Sequence, residues 1–226
     1  MGKIVGTLSE VEAYVRDHNP GSIVGVDEAG RGTWAGPIIA AAAAVSVRWQ
    51  PPPGLTDSKK MSQEKRAAIV EQYSNDDAVV IGIGIVNADE IDQIGIDAAQ
   101  AKAQAEAIRS TFWRLVYPPF VVVDGVQLPA IQPSEVQHLI CVPRADLLVP
   151  AVSLASVFAK VTQVARMIDF EKQYPGYGFQ AHCGYGTSMH QEALERLGPC
   201  KIHRKSFKPV ARMVKSIPGE TWMLLD

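Results

Sequence analysis

The chain has 226 residues, 47% of them apolar, and a net charge of −2 at neutral pH. That is enough apolar chain for a full core in one domain, and it excludes a protein coated all over in basic surface, though not one with a local basic face. The 3 cysteines, Cys141, Cys183 and Cys200, lack CxxC spacing, which disfavours a zinc site or a disulfide framework and fits reduced thiols in the cytoplasm.

The N-terminus is polar and has no signal-peptide core. The longest apolar run, Gly36 to Val47, is too short and too rich in alanine to cross a bilayer of about 30 Å. A soluble cytoplasmic monomer without membrane contact is the expectation. In chain order, Ser9 to His18 predicts a short helix with Ser9 and Glu12 spaced as a capping box. Ser22 to Val26 reads as a buried strand and Pro37 to Val47 as a second, with the three prolines after Gln50 in a loop. Ser62 to Tyr73 predicts a helix and Ala78 to Val86 a strand. Asn87 and Glu90 mark another helix start, and Ile96 to Leu115 reads as one long helix. Val121 to Asp124 and His138 to Val142 are short strands. Pro150 to Tyr174 is a long helix carrying Ser153, Ser156 and Lys160 on one face. Gln191 to Leu197 is a helix closed by Gly198-Pro199. Strands first and helices interleaved later predict one α/β domain over 1–226, a mixed sheet flanked by helices, with a helical C-terminal region from about 188.

The segment Gly25-Val26-Asp27-Glu28-Ala29-Gly30-Arg31-Gly32 carries the chemistry. Two adjacent carboxylates end an apolar strand, which is costly unless a cation neutralises them. The glycines allow close approach of the backbone to a ligand, and Arg31 supplies a planar donor suited to phosphate. Together these features point to a divalent cation beside a phosphodiester. A rival lies in the same residues, because Gly30 to Ala35 fits the loose G-x-G-x-x-A dinucleotide fingerprint. Against it, the two acids would crowd a pyrophosphate, and Pro37 with a strand-like run follows where a helix should start.

Gly25 to Gly32 resembles the opening motif of the type 2 ribonucleases H, in particular bacterial ribonuclease HII. Further matches follow in the family's order: Asp57-Ser58-Lys59-Lys60, Val123-Asp124-Gly125, Arg144-Ala145-Asp146, and Ser153 to Ser156 with Lys160. Tyr177-Gly178-Phe179, Gly184-Tyr185-Gly186-Thr187 and His203-Arg204-Lys205-Ser206-Phe207 complete the set, so the likeness spans most of the chain.

The resemblance implies a ribonuclease H-like fold and an endonuclease acting on RNA/DNA hybrids and on duplex DNA with embedded ribonucleotides. It assigns Asp27, Glu28, Asp124 and Asp146 to catalysis and to binding Mg²⁺ or Mn²⁺, an assignment that suits hard oxygen ligands and two-metal chemistry. Gly30, Arg31 and Gly32 with Tyr185 would read the 2′-hydroxyl and its sugar, and Ser58, Lys59, Ser156, Lys160 and Arg204 would hold the rest of the substrate. One difficulty stands out: consecutive strand residues face opposite sides, so Glu28 must bend or reach round to join Asp27. Three departures from the pattern are Arg144 and Cys183 in place of lysines, and Val164 in place of an acid. An inactive hybrid-binding module is disfavoured because all four acids are present. Ribonuclease HIII is disfavoured by the short stretch before Asp27. The C-terminal Trp222 to Leu225 has two readings, packing of the tail against the core, which is favoured, and a contact to a sliding clamp.

Overall fold

Five strands, β1 (Ser22–Ala29), β2 (Ile38–Ser46), β3 (Val79–Val86), β4 (Phe120–Asp124) and β5 (His138–Val142), form one sheet in the order β3-β2-β1-β4-β5. The coordinates are a computed structural model that describes residues 6–216. β1, β2 and β3 pair antiparallel, whereas β1, β4 and β5 run parallel, so the sheet is mixed. The parallel half brings the C-terminal ends of β1 and β4 side by side, with Val26 paired to Val123 at the last register position.

Helices α1 (Leu8–His18), α2 (Gln63–Tyr73), α3 (Ala88–Ile94), α4 (Ile96–Arg109), α5 (Pro150–Gln173), α6 (Phe179–His182), α7 (Ser188–Leu197) and α8 (Lys208–Ser216) complete the described chain. α5 packs on one face of the sheet, in a core with Ala41, Ala43 and Val122. α4 packs on the other, against Val24, Val26, Ala42 and Val123. A third cluster, around Phe179, Leu194 and Val210, joins α6, α7 and α8. α5, at 24 residues, has the length and composition to cross a bilayer, but Ala151 to Ala159 are buried against the sheet, as in the core helix of a globular domain.

Backbone contact between layers depends on glycine at Gly25. A Cβ there would overlap the backbone of Ala151 and Val152 at the start of α5. Larger side chains forced into such a contact cost about 1–3 kcal/mol. This approach lays the first turns of α5 across the strand that carries Asp27.

Four boundaries differ from the sequence reading. The capping box of α1 uses Thr7 and Glu10, not Ser9 and Glu12. β1 continues to Ala29, so both acids lie within its last turn of pleat instead of after it. The helix expected to reach Leu115 stops at Arg109, where the Ser110 hydroxyl donates to Glu106 O and that of Thr111 to Ile108 O. Such hydroxyls compete for helical carbonyls and end the run, and a short 3₁₀ turn, Phe112–Arg114, follows. α7 begins at Ser188 because the Thr187 hydroxyl accepts from His190 N. No helix follows the Gly-Arg-Gly turn; β2 does, which removes the dinucleotide-binding alternative. The C-terminal Trp222 to Leu225 lies outside the described residues.

Candidate active site

Asp27 and Asp124 come one step after the last paired residues of two parallel neighbours, so their adjacency follows from the register. β5 delivers the third position: after Val142 the chain turns through Arg144, in the left-handed region at φ 63°, into a 3₁₀ turn, Ala145–Leu147, that holds Asp146. Asp124 Oδ1 accepts from Ala145 N at 2.7 Å, tying Asp124 to the segment that carries Asp146.

Asp27 shares the α5 face with Gly25, and Glu28 shares the α4 face with Val24 and Val26. The pleat is therefore not broken to bring Glu28 round. Instead α4 meets it from below, where Gln104 Nε2 donates to Glu28 Oε2 at 2.9 Å. The two acids straddle the end of the sheet.

All four carboxyls are held above their ordinary range. For Asp27, with 8% exposure, burial is the main cause and the charges of Glu28 and Asp124 add to it, raising the pKa well above normal. Burial is also the first cause at Glu28, Asp124 and Asp146, and the charge of Asp124 presses on the other two. Lys59 is the cation that eases both Asp124 and Asp146. Buried carboxylates that repel one another through oxygen-only donors fit a hard divalent cation, which would relieve the repulsion directly. Among the described residues no three His, Cys, Asp or Glu side chains stand close enough to enclose an ion. The acids are spread over separate partners: Glu28 N for Asp27, Gln104 for Glu28 and Ala145 N for Asp124.

A cleft of about 570 Å³ opens beside Asp27 and Glu28. Its walls are the Gly30-Arg31-Gly32 turn, Ser58-Lys59, Ser156 with Lys160 on α5, and Tyr185. Every substrate-side residue read from the sequence lines it except Arg204. Asp124 and Asp146 adjoin the acids at its floor without lining it. The Ser156 hydroxyl donates to Ser58 Oγ at 2.9 Å, joining the long helix to the Ser58-Lys59 turn. Lys160 Nζ donates to Gln163 Oε1 at 2.8 Å and lies 5.6 Å from the Tyr185 ring centroid; burial lowers its pKa. Tyr185 is 39% exposed.

Arg204 is the correction. It is 0% exposed and cannot touch substrate. Its guanidinium donates to Gly36 O at 2.9 Å, Arg31 O at 2.8 Å and Gly30 O at 2.6 Å, behind the turn that lines the cleft. The basic run around it suggested a phosphate contact, but the backbone bridge between Ala35 and His203 turns this side chain inward. Sequence reasoning also missed Gln100 and Gln104. Gln100 accepts from Arg31 Nε at 2.7 Å, beside the Arg31–Asp97 ion pair at 2.5 Å. Two glutamines four apart on an alanine-rich helix were the available signal.

A mixed sheet with acids at the ends of its central parallel strands, and a cationic cleft beside them, defines a nuclease of the ribonuclease H type. The chain matches the sequence model of the ribonuclease HII family over residues 24–210 and belongs to that family. It is accordingly a ribonuclease H, an endonuclease hydrolase acting on RNA/DNA hybrids. It is 42% identical to the ribonuclease HII of Halorhodospira halophila over 195 residues, covering 85% of this chain and 94% of that one. It is 41% identical to the ribonuclease HII of Parvibaculum lavamentivorans over 217 residues, covering 94% and 75%. Among solved structures it is similar to the ribonuclease H2 of Pyrococcus horikoshii, with TM-score 0.65 and 21% identity over 86% of this chain and 97% of that one. The ribonuclease HII of Archaeoglobus fulgidus, solved in complex with PCNA, gives 0.66 and 22% over 82% and 94%. A Bst ribonuclease HIII in complex with Mn²⁺ gives 0.66 and 17% over 86% and 69%.

Proposed function

We propose that the chain cuts duplex DNA at a single embedded ribonucleotide as well as the RNA strand of longer hybrids. Hydrolysis falls on the 5′ side of the ribonucleotide and leaves 3′-hydroxyl and 5′-phosphate ends. The observation that carries this reading is that one cleft is lined at once by two of the acids, Asp27 and Glu28, by the Gly-Arg-Gly turn and by Tyr185.

Asp27, Glu28, Asp124 and Asp146 would hold Mg²⁺ or Mn²⁺, and a pair of such ions would supply water activation and charge stabilisation at the departing oxygen. The chain's own groups do the rest. Lys59, Lys160, Ser58 and Ser156 hold the phosphates that flank the scissile bond. Arg31, fixed by Asp97 and Gln100, presents its backbone instead of swinging its guanidinium into the cleft. Backbone amides of the turn meet the 2′-hydroxyl, a group that both donates and accepts, and Tyr185 lies against the sugar at the junction. His190 and His203, which contact each other, are buried and do not line the cleft, so no histidine pair stands there to deprotonate the 2′-hydroxyl for a cyclising mechanism. Cys141, Cys183 and Cys200 form no disulfide among the described residues, which suits work in the cytoplasm. The PCNA complex of the archaeal relative supports a clamp contact for this chain, and Trp222 to Leu225 is the segment we assign to it.

The test is cleavage in Mg²⁺ of a duplex with one ribonucleotide against the same duplex in DNA alone. Cutting of the first only, with 5′-phosphate products, is expected. Cyclic-phosphate ends or equal cutting of both would refute the reading.

A further inference from the structure

His203 and Arg204 are adjacent and both essentially buried; Arg204 bonds the turn that lines the cleft, and His203 bonds His190, which contacts the Tyr185 backbone. Arg204 has no carboxylate within ion-pair distance among the described residues; three carbonyl oxygens and the face of Phe207, 5.1 Å away, surround its charge. Burial lowers its pKa to about 10, so it stays protonated at neutral pH. A buried cation without an ion pair is expensive to keep.

The geometry explains what it does. A peptide unit is planar and trans, so its N–H points opposite to its C=O. Arg204 draws the carbonyls of Gly30 and Arg31 inward, and those two peptide units carry the amides of Arg31 and Gly32. Both amides are therefore driven outward, and neither has a backbone acceptor among the described residues. The Gly30 carbonyl is held a second time by the Thr33 hydroxyl at 3.0 Å, and Gly30 sits at φ 84°, where a side chain would be strained.

The neighbouring histidine fixes the other half. Cys200 N donates to His203 Nδ1 at 2.9 Å, which leaves the proton on His203 Nε2. That N–H faces His190 Nε2 at 3.0 Å, so His190 carries its proton on Nδ1 and donates to Tyr185 O at 3.0 Å. Burial pulls His190 down to about 4 and His203 to about 3, so the neutral, one-directional chain persists across ordinary pH.

We propose that Arg204 is the positioning residue for recognition of the ribose: it aims the Arg31 and Gly32 amides into the cleft, while His203, through His190, sets the height of the Tyr185 loop beside them. The proposal rests on the reading that this turn and Tyr185 meet the 2′-hydroxyl and its sugar. Arg204 touches no substrate; it acts by fixing which groups of the turn do.

Arg204→Lys keeps the charge but loses the fork that reaches three carbonyls at once. The experiment measures kcat and KM on a single-ribonucleotide duplex in Mg²⁺, with an all-DNA duplex as competitive inhibitor. The variant should raise KM about tenfold, the usual scale for one lost charge-assisted hydrogen-bonded contact, and leave the inhibition constant of the all-DNA duplex unchanged. A lower kcat with KM unmoved would mean only fewer folded molecules and would overturn the proposal. An unchanged KM and kcat would overturn it too. Failure of the underlying reading looks different, because the wild-type enzyme itself would then bind the two duplexes equally. Should Arg204→Lys fail to fold, the wild type supplies the answer by NMR relaxation. Rigid Arg31 and Gly32 amides, with order parameters near about 0.85, are expected although they have no acceptor, and values below about 0.6 would overturn the brace.

Discussion

Gln104 reaches Glu28 from the α4 face, 2.9 Å from Nε2 to Oε2, while Asp27, the next residue back, points to the α5 face. Gln104 is fully buried, and its Oε1 has no hydrogen-bond partner among the described residues. One end of the amide thus holds a carboxylate in place at the expense of the other. Gln104→Leu should free Glu28 and lower kcat/KM by about 10–100-fold, the usual cost of removing a group that orients a metal ligand. Stability should change little, because the variant also removes the unpartnered oxygen. The Mg²⁺ concentration for half-maximal rate should rise; no change in it would show that Gln104 does not orient a ligand.

Asp124→Asn should abolish Mg²⁺-dependent cleavage and leave the fold as stable or slightly more so without metal. Asp124 presses on Asp27, Glu28 and Asp146 alike, so neutralising it relieves three neighbours. Activity close to wild type in Mg²⁺ would remove this residue from the ligand set.

The pH dependence of metal-free stability follows from the raised carboxyls. Asp27 binds its proton more tightly folded than unfolded, so its penalty is absent below the unfolded carboxylate range and grows as pH rises toward the folded pKa. Asp27→Asn should therefore gain on wild type in melting temperature as pH rises from about 4 to 7. A constant difference across that window would mean that Asp27 is not raised. Glu135, held down to about 2 by Arg109, runs the opposite way and is common to both proteins, so it cancels from the comparison.

Mg²⁺ should raise the melting temperature of the wild type, because an ion bound only by the folded state stabilises it, by about 2.7 kcal/mol at a hundred times its dissociation constant. Asp27→Asn should show a much smaller rise. Equal rises in calorimetry would place the ion elsewhere.

Tyr185→Ala should impair cutting at a single ribonucleotide more than Tyr185→Phe. Stacking on a base is worth roughly 1–3 kcal/mol and contact with a sugar less, so the ring carries more than the hydroxyl. Equal rates for wild type and Tyr185→Ala would take Tyr185 out of the site.

The sheet and the acids were legible because their signals are local. An apolar strand ending in Asp27-Glu28 and another ending in Asp124 announce themselves, and parallel pairing does the rest. Glu28's relation to Asp27 was legible only as a difficulty, since its solution lies on α4, 76 positions away at Gln104. Arg204 was misread for the same reason. Its charge is visible in the sequence, but a guanidinium that ends on carbonyls of residues 30, 31 and 36 leaves no trace in the residues around it. The end of α4 was missed because Ser110 and Thr111 look like ordinary helix positions until their hydroxyls are seen taking carbonyls.

The bracing of the Gly-Arg-Gly turn comes from a segment that follows the four acids of the site and all five strands of the described sheet. A ribosome therefore releases the complete sheet, with Asp27, Glu28, Asp124 and Asp146, before Arg204 has been made. During that interval the nascent chain holds the four acids without the guanidinium that braces the Gly-Arg-Gly turn. A chain truncated after Leu197 prolongs that interval indefinitely, and offers a way to ask whether discrimination can be added back by supplying the missing segment as a peptide.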